Sequence, residues 1–359
     1  MELQKYIDEN KDYLNQFKEH KLYVRKYSQL GICIVKCYYK NKYDYLEHPW
    51  IRYCRGAVIN TTTNRVICIP PQKAEETNNL QKIIDEYSEE YSYEPLLDGT
   101  MINMFHHNDE WMIATRSNIG AKNSWDGKES FHKMFLEVNG SNWFEELNKN
   151  YCYSFILHHV NNRNVSPIEI NAIFLVENYE IIEGKIERKE LQEITNINNI
   201  FKLSKEMLKG YQSELFFSIK GFTIKGKDER MNWINPTFEY VKGLKMNYND
   251  KYLNYISLKQ KRLLTEYLMY FPEDQYLFNE YREEFNSIKL KLYERYVSRF
   301  IRKEIETKDI EYSLKPLVYE LHKYYQNTGE KINIKIVSDY LHSLDGKKML
   351  FINNHLFKK

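Results

Sequence analysis

Five cations stand beside short β-rich runs: Arg55, Lys73, Arg116, Arg163 and Lys220. Groups held this way bind phosphate oxygens, arginine through a planar fork and lysine as a point charge. Taken one at a time, each also has a plainer role, as an arginine anchoring a turn or a lysine on a solvated surface. Asn162 precedes Arg163 in sequence, and Asp98 precedes Gly99 elsewhere in the same stretch of runs. The same segments also carry hydrocarbon, at Leu96 and Ile156. Leu96 has no lone pair to offer phosphorus and is no nucleophile, and Ile156 can hold neither a sugar nor a metal ion. His158 and His159 are neighbours. On a strand they leave by opposite faces, so they are not expected to share a metal, and they read as structural or RNA-facing.

Periodicity predicts the elements that must position these groups. Residues 1–19 place Leu3, Tyr6, Ile7, Tyr13, Leu14 and Phe17 at helical spacing. From Leu22 to about residue 245 short β-rich runs dominate: Ile32–Tyr38, Gly56–Asn60, Arg65–Ile69, Met101–Phe105, Trp111–Thr115, Tyr151–Leu157 and Gly221–Lys225. Turn signals such as Asn60–Asn64 and His107–Asp109 separate them. Helical stretches are expected near 77–90, 126–150 and 203–214, which gives an α+β domain built on antiparallel sheet. From about Leu258 the pattern is helical. The stretch Tyr276–Ile305 is long and charged, with Tyr281, Phe285, Ile288, Tyr293, Val297 and Phe300 as candidate buried positions. Pro272 and Pro316 fall where helices are expected to start. The polar stretch Asn247–Asp250 marks the expected boundary, giving domains 1–248 and 249–359.

The bulk numbers fit two domains, since 359 residues suffice for a sizeable core in each. Net charge is only +2, but residues 251–359 hold 20 Lys/Arg against 15 Asp/Glu. That tilt suits RNA contact and equally suits a solvated helical surface. Five cysteines (Cys33, Cys37, Cys54, Cys68, Cys152) lack zinc spacing and read as free core thiols of a reducing compartment. The polar start and the lack of any long apolar run predict a cytoplasmic protein with no membrane partner. Heavy use of Tyr (31 residues), Asn, Ile and Lys suggests an AT-rich genome, such as that of a large virus, a phage or a plasmid.

The order of these segments resembles the phage-type RNA ligases that repair tRNA, within the covalent nucleotidyltransferase superfamily. In that family a strand ends in Lys-x-Asp-Gly, and the lysine becomes covalently nucleotidylated. Here Asp98-Gly99 is in place and Leu96 stands for the lysine. Cys54-Arg55-Gly56 and Pro71-Gln72-Lys73 match the family's Arg-Gly element and its later lysine, and Arg116 takes another lysine's place. Phe155 and Asn162-Arg163 match a further element, with Ile156 for its glutamate. Lys220-Gly221 stands where Glu-Gly would help position a divalent metal, a reversal of sign. The final lysine pair before Tyr240-Val241 is missing from residues 228–241, where Arg230 is the nearest cation.

The resemblance thus implies a protein whose chemistry is lost at Leu96, Ile156 and Lys220. It implies no catalytic residue, metal or cofactor, and a retained set of phosphate or RNA contacts: Arg55, Lys73, Asp98, Arg116, Asn162, Arg163 and Lys220. The helical domain would add contacts through Arg262, Lys289, Lys291, Arg295, Arg299, Arg302 and Lys303, among interleaved acids (Glu283, Glu284, Glu294, Glu304). Tyrosines would stack on unpaired loop bases. The implied partner is tRNA or another structured RNA. The implied role is protection against an anticodon-nuclease toxin, by masking tRNA or by binding the toxin, as a killer-plasmid immunity protein would. Two alternatives stay open: an active RNA ligase with unconventional residues, and a noncatalytic subunit of a viral RNA-processing complex.

Overall fold

The computed structural model describes all residues except 39–40, 126, 128, 141–142, 195–196, 214–215, 228, 247, 249 and 358–359. Two residues of the expected boundary, Asn247 and Asn249, therefore lie outside the described residues. The chain divides into compact units Met1–Tyr240 and Val241–Lys359. The first is α+β and the second is helical. The first unit contains strands β1 (Leu22–Tyr27), β2 (Ile32–Cys37), β3 (Arg55–Asn60), β4 (Arg65–Cys68), β5 (Glu75–Thr77), β6 (Ser92–Pro95), β7 (Thr100–His107), β8 (Glu110–Ala114), β9 (Tyr151–His158), β10 (Ala172–Ile182), β11 (Lys185–Lys189), β12 (Asn198–Asn199), β13 (Gly221–Lys225) and β14 (Arg230–Ile234). Three sheets result, in strand orders β1-β2-β3-β4, β11-β10-β9-β7-β8 and β5-β14-β13-β6, with β12 beside β10. Pairing is antiparallel except β10 with β12 and β14 with β5.

Turn chemistry sets the hairpins. The Asn60 side chain accepts from Thr62 N (2.9 Å) and Thr63 N (3.0 Å), closing the β3–β4 turn. Asn108 and Asp109 both take positive φ (50° and 62°), as the tight turn between β7 and β8 needs. The N-terminal helix splits into α1 (Glu2–Glu9) and α2 (Tyr13–Glu19). Asn10 is extended there and bonds its side chain to Tyr6 O (2.8 Å), a local bond that competes with the helical ladder. The break lets Tyr6 and Phe17 converge on Trp50, with ring centroids 3.9 and 5.4 Å from it.

Helices α3 (Leu80–Asp85), α4 (Phe131–Asn139) and α5 (Lys205–Ser213) cover sheet faces. Phe131, Met134 and Phe135 of α4 pack on Phe155, Leu157, Ile173 and Leu175 of the central sheet. Ile83, Ile84 and Leu208 pack on Phe222, Ile224 and Trp233 of the third sheet. All five cysteines are buried and free.

The division between units falls within α6 (Pro236–Lys245). The second unit then has α7 (Lys251–Lys261), α8 (Leu264–Tyr270), α9 (Gln275–Tyr296), a π turn (Val297–Arg302), α10 (Lys315–Thr328), α11 (Ile334–Ser343) and α12 (Gly346–Phe357). Helix therefore begins before Leu258. Asp250 caps α7 by accepting from Tyr252 N (2.8 Å) and Leu253 N (3.3 Å). In α9 the expected Phe285 and Ile288 are buried, together with Phe278, Leu292 and Tyr296, whereas Tyr281 and Tyr293 are half-buried. Among the described residues no helix is long and apolar enough to cross a membrane.

Candidate functional site: an arginine cluster

β6 ends at Pro95, and Leu96 N bonds Gly221 O (2.9 Å), so the 96–99 segment starts beside β13. Asp98 is buried and its carboxylate is spent on backbone, accepting from Val165 N (2.8 Å) and Ser166 N (3.0 Å). Gly99 has no room for a side chain. A Cβ there would lie 2.6 Å from Ile156 Cγ2 and 2.7 Å from Leu157 O. Ile156 thus fills the space over this strand end with hydrocarbon. Lys220 reaches back to donate to Leu97 O (3.3 Å). His158 sits with Asp98 and Lys220. Burial pushes its imidazole below the ordinary value, Asp98 pulls the other way, and Lys220 adds to the fall. His158 Nε2 and Ser166 Oγ are buried without a hydrogen-bond partner.

The second focus lies around the start of β3. Arg55 stands opposite Lys36 of β2, and Gly56 follows at φ +111°. A Cβ on Gly56 would come within 2.9 Å of Arg116 Cα, so only glycine lets these backbones approach. That contact sets Arg116 near enough for its charge to act on Arg55. Burial first, then the charges of Arg116 and Arg230, push Arg55 down to about 10. Lys36 is lowered too, by burial and then by Arg116. Arg116 has one neutral acceptor, Cys37 O (3.2 Å). Among the described residues no carboxylate lies within ion-pair distance of Arg55, Arg116 or Lys36.

Arg230 joins the cluster from β14 and is anchored from behind. It pairs with Glu177 of β10, which is 2% exposed and also takes the Tyr179 hydroxyl bond. A β-bulge at Val176 breaks the β10–β9 register at this point. The Val176 carbonyl thereby accepts the Lys225 ammonium (2.8 Å), which also meets Glu94 (2.5 Å) and Glu177 (3.3 Å). Burial would raise the Glu177 carboxyl, but Arg230 and Lys225 outweigh it and hold it at about 2.

No protein-family model and no curated protein sequence matches this chain. Among solved structures it is similar to a protein assigned as an ATP-dependent DNA ligase from Aquifex aeolicus (TM-score 0.43, 14% identity, 82% of this chain and 78% of that one). It is also similar to an archaeal ATP-dependent RNA ligase (TM-score 0.44, 12% identity, 65% and 63%). A third similar structure is an apo point variant of a Naegleria gruberi RNA ligase (TM-score 0.35, 11% identity, 48% and 58%). The chain thus spans less than two thirds of either RNA ligase. Superpositions this loose leave the chemistry of the site to its own residues.

The residues singled out from sequence fall into two groups. Arg55 and Arg116 meet in the cluster, and Lys73 lies close enough to influence the Cys37 thiol while pairing loosely with Glu76 (3.5 Å). Asp98, Asn162, Arg163 and Lys220 belong with the 96–99 segment. There Asn162 donates to Thr100 Oγ1 (2.8 Å), and Arg163 donates to Val165 O (3.1 and 2.9 Å). His159 follows β9 and meets Glu137 (3.1 Å), away from any second histidine ligand. Among the described residues no group of three His, Cys, Asp or Glu is placed to hold a metal ion. Sequence reasoning missed Glu94, Glu177 and Lys225 and saw Arg230 only as a leftover cation. Their partners lie tens of residues away, and no local pattern joins them.

Proposed function

We propose that this chain is a noncatalytic protein of RNA-ligase type that binds tRNA or a similarly structured RNA, and that binding protects the RNA against an anticodon nuclease. One observation carries the reading: Gly56 brings the backbone beside Arg55 against Arg116, the charges of Arg116 and Arg230 both act on Arg55, and among the described residues no carboxylate lies within ion-pair distance of it. Like charges held near one another repel, and a phosphate oxygen relieves the repulsion. Leu96 and Ile156 argue against covalent chemistry at the neighbouring strand end, since neither offers a lone pair.

The test is tRNA binding by wild-type chain and by Arg55→Met and Arg116→Met. Each variant is expected to bind about tenfold more weakly or worse, as loss of a charge-assisted contact implies, with a shallower salt dependence. Wild-type affinity unchanged by either substitution would remove the cluster from the argument. The protective role is read separately, by toxin challenge in cells with and without the chain and tRNA integrity on a gel.

A second reading, an active ligase, is favoured by one contact. The Lys220 ammonium lies against Leu97 O, across the sheet from the position Leu96 fills. Incubation with labelled ATP or GTP and Mg²⁺ separates the two. A covalent adduct that disappears in Lys220→Arg would establish the enzyme, and no adduct is expected.

A further inference from the structure

The helical unit carries a cationic surface built in a different way. After Tyr296, α9 widens into the π turn Val297–Arg302, which ends at Lys303 in the left-handed region (φ 58°). Such turns are rare and concentrate at functional sites. This one lays Phe300 flat on the His322 imidazole of α10, with centroids 3.7 Å and planes 3° apart. Tyr319, one turn earlier on the same face of α10, meets Phe300 edge-on at 5.5 Å and is 40% exposed. Thr307 pairs with its hydroxyl (2.5 Å), and the charges of Arg299 and Lys315 act on it.

Two polar atoms in this patch, Arg299 Nε and His322 Nδ1, are buried without a hydrogen-bond partner. Some basic side chains of the unit are held by carboxylates: Arg295 holds Glu311 through two bonds (2.8 and 2.9 Å), Lys251 meets Asp274 (2.7 Å) and Lys348 meets Glu320 (3.2 Å). Among the described residues no carboxylate lies within ion-pair distance of Arg299, Lys303 or Lys315.

We propose that Arg299, Phe300, Lys315, Tyr319 and His322 form a site for one unpaired nucleotide of a single-stranded nucleic acid. The base stacks on the open part of the Tyr319 ring, and the adjoining phosphodiester lies on Arg299 and Lys315. An exposed aromatic face beside unpaired cations matches both halves of a nucleotide, and base stacking tolerates any base. A protein partner would instead seek a broader apolar core around the ring. The inference rests on the RNA-binding reading and says where an unpaired residue of that RNA docks.

The full chain is titrated with a short fluorescent oligouridylate, the matching oligothymidylate, an RNA duplex and tRNA. Tyr319→Ala is expected to weaken oligouridylate binding at least about fivefold, as loss of one stacked base implies, while Tyr319→Phe stays near wild type and duplex binding does not change. Arg299→Met is expected to weaken the oligomer and to lower the salt slope by about one. Stronger binding of oligouridylate than of oligothymidylate assigns the site to RNA, and equal binding assigns it to unpaired strands of either kind. Wild-type affinity in Tyr319→Ala, or equal losses in Tyr319→Ala and Tyr319→Phe, would overturn the stacking site. If tRNA binds and depends on Arg55 while Tyr319→Ala changes nothing, only this inference falls. If wild-type chain binds neither tRNA nor oligomer, the RNA-binding reading falls with it.

Discussion

Arg230 borders two neighbourhoods that treat charge in opposite ways. On the β10 side, Glu94 and Glu177 face Lys225 and Arg230, with a tyrosine hydroxyl and a backbone carbonyl completing the set. On the β3 side, Arg55, Arg116 and Lys36 gather, and Arg116 donates to the neutral Cys37 carbonyl. The first arrangement is self-sufficient, as buried ion pairs must be to persist. The second has no carboxylate within ion-pair distance of Arg55, Arg116 or Lys36 among the described residues. The two directions of pKa change record the contrast: Glu177 is held at about 2 by its cations, and Arg55 is pushed to about 10 by burial and its like-charged neighbours.

The largest expected effect comes from breaking the satisfied side. Arg230→Met strands the Glu177 carboxylate with Lys225 alone and should cost about 3–5 kcal/mol in urea unfolding of the first unit. A loss below about 1 kcal/mol would mean that the network is not what holds the bulged strand. Acid should attack the same network. Because the folded-state value of Glu177 lies below its ordinary 4.5, its contribution is complete above that value and is lost as pH falls toward about 2. The loss is up to about 3 kcal/mol, and Glu177→Gln should flatten that part of the acid dependence.

Gly56→Ala bears on the other side. The left-handed φ and the 2.9 Å approach to Arg116 Cα predict a loss of about 1–3 kcal/mol, with weaker tRNA binding because Arg55 and Arg116 are forced apart. Smallest in stability is Arg55→Met, expected to leave unfolding unchanged or to raise it by up to about 1 kcal/mol while RNA affinity drops. If Arg55→Met destabilised the fold as much as Arg230→Met, the two neighbourhoods would be alike and the cluster structural.

Sequence reading located the strands whose side chains alternate or cluster plainly. The run Gly221–Lys225 is a strand as predicted, and those around Ile32, Arg65 and Tyr151 differ from prediction by a residue or so at their ends. It did not single out β1, β10, β11 or β14, whose charged residues (Arg25, Glu177, Glu187, Arg230) interrupt the apolar pattern. Two of those interruptions, Glu177 and Arg230, belong to the ion network. Arg55 and Arg116 were visible as cations, but their meeting depends on Gly56 packing against a turn sixty residues on, which no local period encodes. Equally hidden was the bulge at Val176, a one-residue register shift that frees a carbonyl for Lys225.

A π turn carries one residue more than the α-helical ladder it interrupts. Deleting a single residue within Val297–Arg302 would let α9 continue regularly and remove the widened turn that lays Phe300 on His322. The aromatic surface of the helical unit is therefore specified by chain length as much as by residue type. A one-codon deletion there would erase it while leaving the composition of the patch almost untouched.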